Sequence, residues 1–336
     1  MAGLRRAAAA PARNPPLSER SLRLVFFGTP AFAVPTLERL AAGPHRVVAA
    51  VSQPDRPRGR GRKLSPSPVA DAAERLGIPA LRTESVGDAS FAAQLAALEP
   101  DLGVVVAFGQ FLPRRVRELP RVGYLINAHA SLLPRHRGAA PIAHAILDGD
   151  AETGISVMRV ERGMDAGAVA LVRRTAIGDE ETAGELEERL ARLAAEAIEA
   201  AVALVAEGRV AWTAQDDALA TVAPKLTPDD ARLDWSQPAD ALARRVRALS
   251  PRPGAFTHLG GERLRILRAV VLPAVGPGAD PPGTVRLAPL RIATGDGWLA
   301  PRVLQRAGGN PLEVAVFQRG HGLPDGAHLG AGEAGS

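Results

Sequence analysis

The sequence predicts an α/β protein: a Rossmann-like, mostly parallel sheet with helices on both faces, followed by a small C-terminal β-barrel. Three observations carry this. Over the first two hundred positions, strand-length apolar runs alternate with apolar residues at helical spacing, the pattern of βαβ units in a sheet covered on both faces. The chain has 336 residues, more than one ordinary core of about 100–200 residues needs. From about Trp212 the segments shorten, broken by Pro251, Pro253, Gly254, Gly260-Gly261, Pro281-Pro282-Gly283 and Gly295, as in small barrels.

Leu22–Phe27 reads as a strand closed by Gly28-Thr29-Pro30, after which Phe32, Val34, Leu37 and Leu40 follow at helical spacing. Gly-x-Gly-x-x-Gly is absent here, so the glycine turn is a strand-to-helix junction rather than a dinucleotide site. Pro30 at the helix start removes an amide that would have no partner anyway. Arg46–Val51 is a second strand, Val69–Leu76 a helix ended by Gly77, Asp101–Phe108 a fully buried strand and Tyr124–Ala128 another. After strands at Ile155–Val160 and Ala168–Arg173, Thr182 and Glu185 form a capping box. Leu186, Leu190, Leu193 and Ala197 then mark one face of a long helix reaching Gly208. The expected organisation is a disordered extension over 1–20, the α/β domain over 21–208, a linker over 209–223, an all-β domain over 224–320 and a loose tail over 321–336.

Composition narrows the function classes. With 46% hydrophobic and 23% charged residues, the chain has the balance of a folded soluble protein. No apolar run approaches the ~18 residues of a membrane span, and Pro11, Pro15 and Pro16 interrupt the N-terminal segment, against a secretory leader. An Arg-rich, acid-poor organellar transit peptide has a similar look. There is no cysteine, which removes thiol nucleophiles and thiolate metal sites and fits a reducing, cytoplasmic setting. The net charge of +5 and isoelectric point near 10.6 favour an anionic partner or serve solubility. Only Lys63 and Lys225 of 41 basic residues are lysine, so polyanions would be gripped mainly by planar guanidinium groups.

The segment Leu125-Ile126-Asn127-Ala128-His129-Ala130-Ser131-Leu132-Leu133-Pro134 begins as a strand and ends as a loop. Alternation along the strand sends Asn127 and His129 to one side where it ends. An amide and an imidazole converging on one point can stabilise the oxyanion of an acyl-type transfer. Asp165, in the Gly-flanked loop Gly163-Met164-Asp165-Ala166-Gly167, could approach His129 and favour its imidazolium form. On the residues alone, a buried histidine, a turn asparagine and a loop-capping aspartate explain the pattern equally well.

These segments resemble the bacterial methionyl-tRNA formyltransferases from Leu22 to about Ala307. The resemblance rests on Phe27-Gly28-Thr29-Pro30-Ala31-Phe32-Ala33, Gln53-Pro54-Asp55-Arg56-Pro57, Gly59-Arg60-Gly61, Pro66-Ser67-Pro68-Val69, the Asn127 to Pro134 run, Lys225-Leu226-Thr227-Pro228 and Asp234-Trp235. It implies that Asn127, His129 and Asp165 form a catalytic triad. It also implies that Ser131, Leu132, Leu133 and Pro134 lie against 10-formyltetrahydrofolate as formyl donor, with no metal needed. Arg56, Arg60, Arg62 and Lys63, in a Pro- and Gly-rich basic loop, and Lys225 would meet initiator methionyl-tRNA. The second domain would be a barrel of the oligonucleotide-binding type, with Arg244, Arg245, Arg247, Arg252, Arg263, Arg265 and Arg268 supplying a positive face. A monomer is expected. Two departures stand out: Ala31, where an acidic residue is common, and His136, where Trp is frequent. The triad does not itself name the acceptor, so a sugar or nucleotide amine, hydrolysis of the formyl donor, and non-catalytic RNA binding are the competing readings.

Overall fold

The central strands are buried along nearly their whole length, as expected of a sheet covered on both faces, and this builds the first domain from the inside. The computed structural model describes residues 21–58, 63–272 and 280–330. The chain runs β1 (Arg23–Gly28), α1 (Val34–Ala42), β2 (Arg46–Ser52), β3 (Arg56–Arg58), β4 (Lys63–Ser65), α2 (Pro68–Arg75), β5 (Ala80–Arg82), α3 (Ala89–Ala96), β6 (Leu102–Val106) and α4 (Arg114–Arg117). It continues through β7 (Leu125–His129), β8 (Arg137–Gly138), α5 (Pro141–Leu147), β9 (Glu152–Arg159), β10 (Val169–Ala176) and α6 (Ala183–Ala206). The main sheet has the order β10-β9-β7-β6-β1-β2-β5. Its strands β5, β2, β1, β6 and β7 are parallel, and β9 and β10 add an antiparallel edge.

Leu24, Phe26, Val104, Ile126 and Val157 pack on one face with Leu37 of α1 and with Leu190, Ala194 and Ile198 of α6. Val25, Phe27, Val105 and Leu125 pack on the other with Leu95 of α3 and Val116 of α4. A period of two across the strands thus separates two cores in one sheet. Gly28 permits the first strand-to-helix turn by close approach: a Cβ there would sit 2.8 Å from the Ala33 Cβ and 3.0 Å from the Val106 carbonyl oxygen. The glycine is required for packing, as the junction reading expects.

The basic stretch departs from a plain loop. β3 and β4 pair antiparallel, Arg56 opposite Ser65, so its flanks form a short ribbon. Arg60 and Arg62 lie outside the described residues.

The second domain is not all β. In the joining segment β11 (Val222–Ala223) pairs back to β8 of the first domain, and the second domain then runs through α7 (Ala239–Leu249), β12 (Ala255–Leu259), β13 (Glu262–Leu272), β14 (Val285–Arg286), β15 (Arg291–Ala293), β16 (Trp298–Arg306), β17 (Leu312–Glu313) and α8 (Val314–His321). The expectation missed α7 because its Ala- and Arg-rich face follows the many prolines and glycines of the region; Leu242, Val246 and Leu249 are nonetheless its buried stripe. The antiparallel sheet has the order β12-β13-β16-β15-β14, with β17 on β16. The two edges of the sheet are bridged by the chain end, where the Leu329 N–H donates to the Gly283 carbonyl at 2.9 Å and the Gly330 N–H to that of His258 at 3.0 Å. The expected loose tail is corrected for residues 321–330, where Leu323 and Leu329 are buried and tie the segment to the core; residues 331–336 lie outside the described residues. The extension over 1–20 lies outside the described residues.

Candidate active site

β7 sits between β6 and the antiparallel β9, with Asn127 opposite Val105 and Met158, and His129 opposite Ser156. Because Ile126 packs toward α6 and Leu125 toward α3 and α4, alternation puts Asn127 and His129 on the latter face at the carboxyl end of the strand. Ligands of open α/β sheets gather outside such strand ends. Asn127 is half-buried, and its amide has no protein partner among the described residues. A free carboxamide at a strand end is a donor available to a ligand.

His129 is buried. Its Nε2 lies 2.8 Å from the His136 carbonyl oxygen; a carbonyl only accepts, so Nε2 carries the proton in this bond. Nδ1 faces Asp165 Oδ2 at 3.5 Å. The structure thus brings Asp165 to His129 across thirty-six positions of chain. A proton on Nδ1 would point to the carboxylate and the open end of the strand, and this nitrogen is the one left for chemistry. Asp165 is held on its own account: Oδ2 accepts from the Gly138 N–H at 2.9 Å. Its φ of +50° is a backbone region that non-glycine residues avoid, and such conformations persist where surrounding bonds over-determine them. Gly167 has no such freedom to change, since a Cβ there would lie 2.0 Å from the Arg159 carbonyl oxygen.

The loop after β7 is wired internally. Ser131 is fully buried, and its hydroxyl donates to the Arg135 carbonyl at 2.7 Å. The Ser156 hydroxyl donates to the Ser131 carbonyl at 2.7 Å and accepts from the Leu133 N–H at 3.1 Å. Ser131 therefore shapes the Leu132-Leu133-Pro134 turn and does not present its hydroxyl outward. His136, at φ +57°, is buried and turned inward: its Nε2 lies 2.6 Å from Asp150 Oδ2. Where the resemblance has Trp, this chain has a buried histidine hydrogen-bonded to Asp150, and its carbonyl orients His129.

The basic residues divide. Arg56 is exposed, with its guanidinium 3.1 Å from Gln53 Oε1. Lys225 is exposed, two residues beyond β11 and without an ion-pair partner among the described residues. Lys63 contributes to β4 through its backbone. In the second domain the expected positive face is smaller than the sequence suggests. Arg244 donates to the Leu147 carbonyl, Arg247 to those of Gly178 and Glu181, and Arg268 pairs with Glu185. These three arginines join the domains. Burial also holds the Arg247 guanidinium below its ordinary value, with Arg244 adding repulsion.

Two clefts are candidates for ligands. One of about 400 Å³ follows β6 and is lined by Val86, Gly87, Gln110, Phe111, Pro113 and Arg115. The other, about 500 Å³, lies between the domains and includes Asp150, Arg244 and Arg247; neither cleft is lined by Asn127, His129 or Asp165. The first shares the carboxyl edge of the sheet with Asn127 and His129, and the Phe111 ring there is 69% exposed. Size alone would favour the second; chemistry favours the first.

Comparison with known proteins decides the family. Residues 22–202 match the formyl transferase family and residues 225–322 the formyl transferase C-terminal domain. The chain is 47% identical over 297 residues to a methionyl-tRNA formyltransferase of Pseudomonas paraeruginosa, covering 88% of this chain and 94% of that one. This chain belongs to the methionyl-tRNA formyltransferase family. A relative from Rhodopseudomonas palustris carries the same name at 45% identity, covering 89% of this chain and 96% of the other. Among solved structures, a methionyl-tRNA formyltransferase from Clostridium thermocellum aligns with a TM-score of 0.54 at 14% identity, over 86% of this chain and all of that one. HypX from Aquifex aeolicus in complex with tetrahydrofolic acid aligns at 0.58 and 18% identity, over 89% of this chain and 47% of that one. At these identities the two structures speak for the fold alone. No helix among the described residues of this family member is long and apolar enough to cross a membrane.

The three candidate residues of the sequence come together here, held by groups the sequence did not single out: Gly138, the His136 carbonyl, Ser156 and Gln215. Only Ser156, a polar residue inside the apolar β9, left a signal in the sequence.

Proposed function

We propose that this chain transfers the formyl group of 10-formyltetrahydrofolate to the α-amine of initiator methionyl-tRNA. The observation that carries this reading is the Asn127–His129–Asp165 arrangement at a strand end, in a chain 47% identical over 297 residues to a named methionyl-tRNA formyltransferase. The amine nitrogen bonds to the formyl carbon, and the formyl oxygen takes up negative charge. The free Asn127 amide and the protonated Nδ1 of His129 hold that oxygen. Asp165 balances the imidazolium and takes part in moving the amine proton toward the departing N10 of tetrahydrofolate, whose bond to the carbon breaks. Converging donors of this kind act where charge develops in the transition state.

The cleft behind β6 fits the donor in kind: the exposed Phe111 ring can stack on a flat bicycle, and the Arg115 guanidinium can meet carboxylates. The turn shaped by Ser131, with Leu132, Leu133 and Pro134, closes the other side in this reading. For the acceptor, Arg56 and Lys225 are exposed cations that can grip phosphates, with Arg60, Arg62 and Lys63 of the same basic stretch of sequence assigned to the same task by the resemblance. We place the enzyme in the cytoplasm, acting as a monomer.

A formylation assay with charged initiator tRNA, an elongator control and a sugar-amine acceptor tests the proposal. Formylation of initiator tRNA well above the other two is expected. Turnover of the sugar amine alone would replace the acceptor, and formate release at full rate without any acceptor would replace the reaction.

A further inference from the structure

We propose that Gln215, in the segment joining the two domains, is a positioning residue for Asp165: it holds the Asp165 loop in the conformation that faces His129. The inference rests on the formyl-transfer reading, in which Asp165 works through His129.

All the hydrogen-bonding capacity of the Gln215 amide is engaged. Its Nε2 donates to the carbonyl oxygens of Asp165 and Gly167, each at 2.8 Å. Its Oε1 accepts from Arg137 Nε at 3.0 Å and from an Arg137 terminal nitrogen at 2.8 Å. The same terminal nitrogen reaches Asp217 Oδ1 at 2.7 Å. A primary amide is the side chain that can donate twice and accept twice at once.

These bonds close a ring of contacts. Gly138, the residue after Arg137, binds the Asp165 carboxylate directly at 2.9 Å. Gln215 binds the backbone of the same residue and is itself anchored by Arg137. The joining segment is pinned on both sides: Thr213 and Val169 exchange N–H to carbonyl bonds at 2.8 and 2.9 Å, and β11 pairs with β8, Val222 opposite Arg137. Asp165 stands at φ +50°, a region sparsely populated by non-glycine residues, though Asp enters it more readily than most. Two carbonyl acceptors two residues apart, bound by one amide, fix that turn. Without the amide the loop can relax to an ordinary backbone, and the carboxylate then leaves the 3.5 Å approach to His129 Nδ1.

The joining segment is therefore part of the site's architecture and not only a tether. Gln215 makes no demand on substrate: both faces of its amide are turned to protein groups.

The test uses the full-length enzyme with Gln215→Met, which keeps length and removes all four bonds, and Gln215→Glu, which keeps the acceptor for Arg137 and sets a carboxylate against two carbonyls. Steady-state formylation of methionyl initiator tRNA is expected to show kcat lowered about ten- to a hundredfold, the scale of a misplaced catalytic group. KM for both substrates should stay within about twofold, since ground-state binding is untouched. In an Asp165→Asn background, followed by single turnover, Gln215→Met should cost almost nothing further, because the two residues act as one unit. Unchanged kcat in both variants would overturn the inference. So would a raised KM at constant kcat, which would make Gln215 a substrate contact, or an equal loss in the Asp165→Asn background, which would make its role general. A wild-type enzyme inactive on charged initiator tRNA would remove the underlying reading instead.

Discussion

At the residue scale, the proposed chemistry rests on a few side chains whose neighbours leave one hydrogen-bonding group open. Asn127 keeps its amide free, and His129 has Nε2 committed to the His136 carbonyl while Nδ1 faces Asp165. Replacing His129 or Asn127 by Ala should therefore lower formyl transfer about 10²–10³-fold, as loss of an oxyanion donor does, with folding retained. Single-turnover rates together with circular dichroism check this; an unimpaired His129→Ala enzyme would contradict the role. Ser156 is a different kind of residue. It is fully buried and bridges the Ser131 carbonyl and the Leu133 N–H. Ser156→Ala leaves two buried backbone groups short of a partner, a loss of about 1–3 kcal/mol, and should appear both as a lower melting temperature and as a raised KM for the formyl donor.

The element that closes the first domain, α6, shows how local chemistry is coupled to the neighbouring domain. The Thr182 hydroxyl accepts from the Glu185 N–H at 3.4 Å, and Glu185 Oε2 accepts from the Thr182 N–H at 2.9 Å, a reciprocal cap at the helix start. Thr182→Ala should cost about 0.5–2 kcal/mol, measurable by denaturant titration. The Thr182 N–H and hydroxyl, with a lesser contribution from the Arg268 guanidinium, hold the Glu185 carboxyl below its ordinary value against the opposing effect of burial. A carboxyl depressed in the folded state stabilises it above the unfolded value, about 4.3. That contribution is lost as pH falls through the folded value. The stability gap between wild type and Glu185→Gln should accordingly be full near neutrality and shrink below about pH 4.3; thermal melts across pH 3 to 7 would show it, and a gap that widened on acidification would refute it.

Charge at the scale of the whole molecule is distributed between holding the domains together and meeting a partner. Arg244, Arg247 and Arg268 bind the first domain, whereas Lys225 and Arg56 are exposed and are the cations proposed to meet the tRNA. Removing one phosphate-binding cation reduces the slope of log affinity against log salt by roughly 0.7–0.9. Lys225→Ala is expected to weaken tRNA binding and flatten the salt dependence by that amount, with little change in kcat. Filter binding at several salt concentrations measures it, and an unchanged slope would remove Lys225 from the contact.

The sequence by itself determined the alternation of strands and helices, the two domains, the capping box at Thr182 and the convergence of Asn127 with His129, because each depends on neighbours a few residues apart. Period two, period 3.6 and short caps are local rules. What only the tertiary structure decided lies at long separation: Asp165 beside His129, Gln215 beneath Asp165, the helix α7 as a joint between domains, and the inward turn of His136 onto Asp150. Those contacts follow from how the sheet orders its strands and where the joining segment returns, and no spacing along the chain encodes which distant groups will meet.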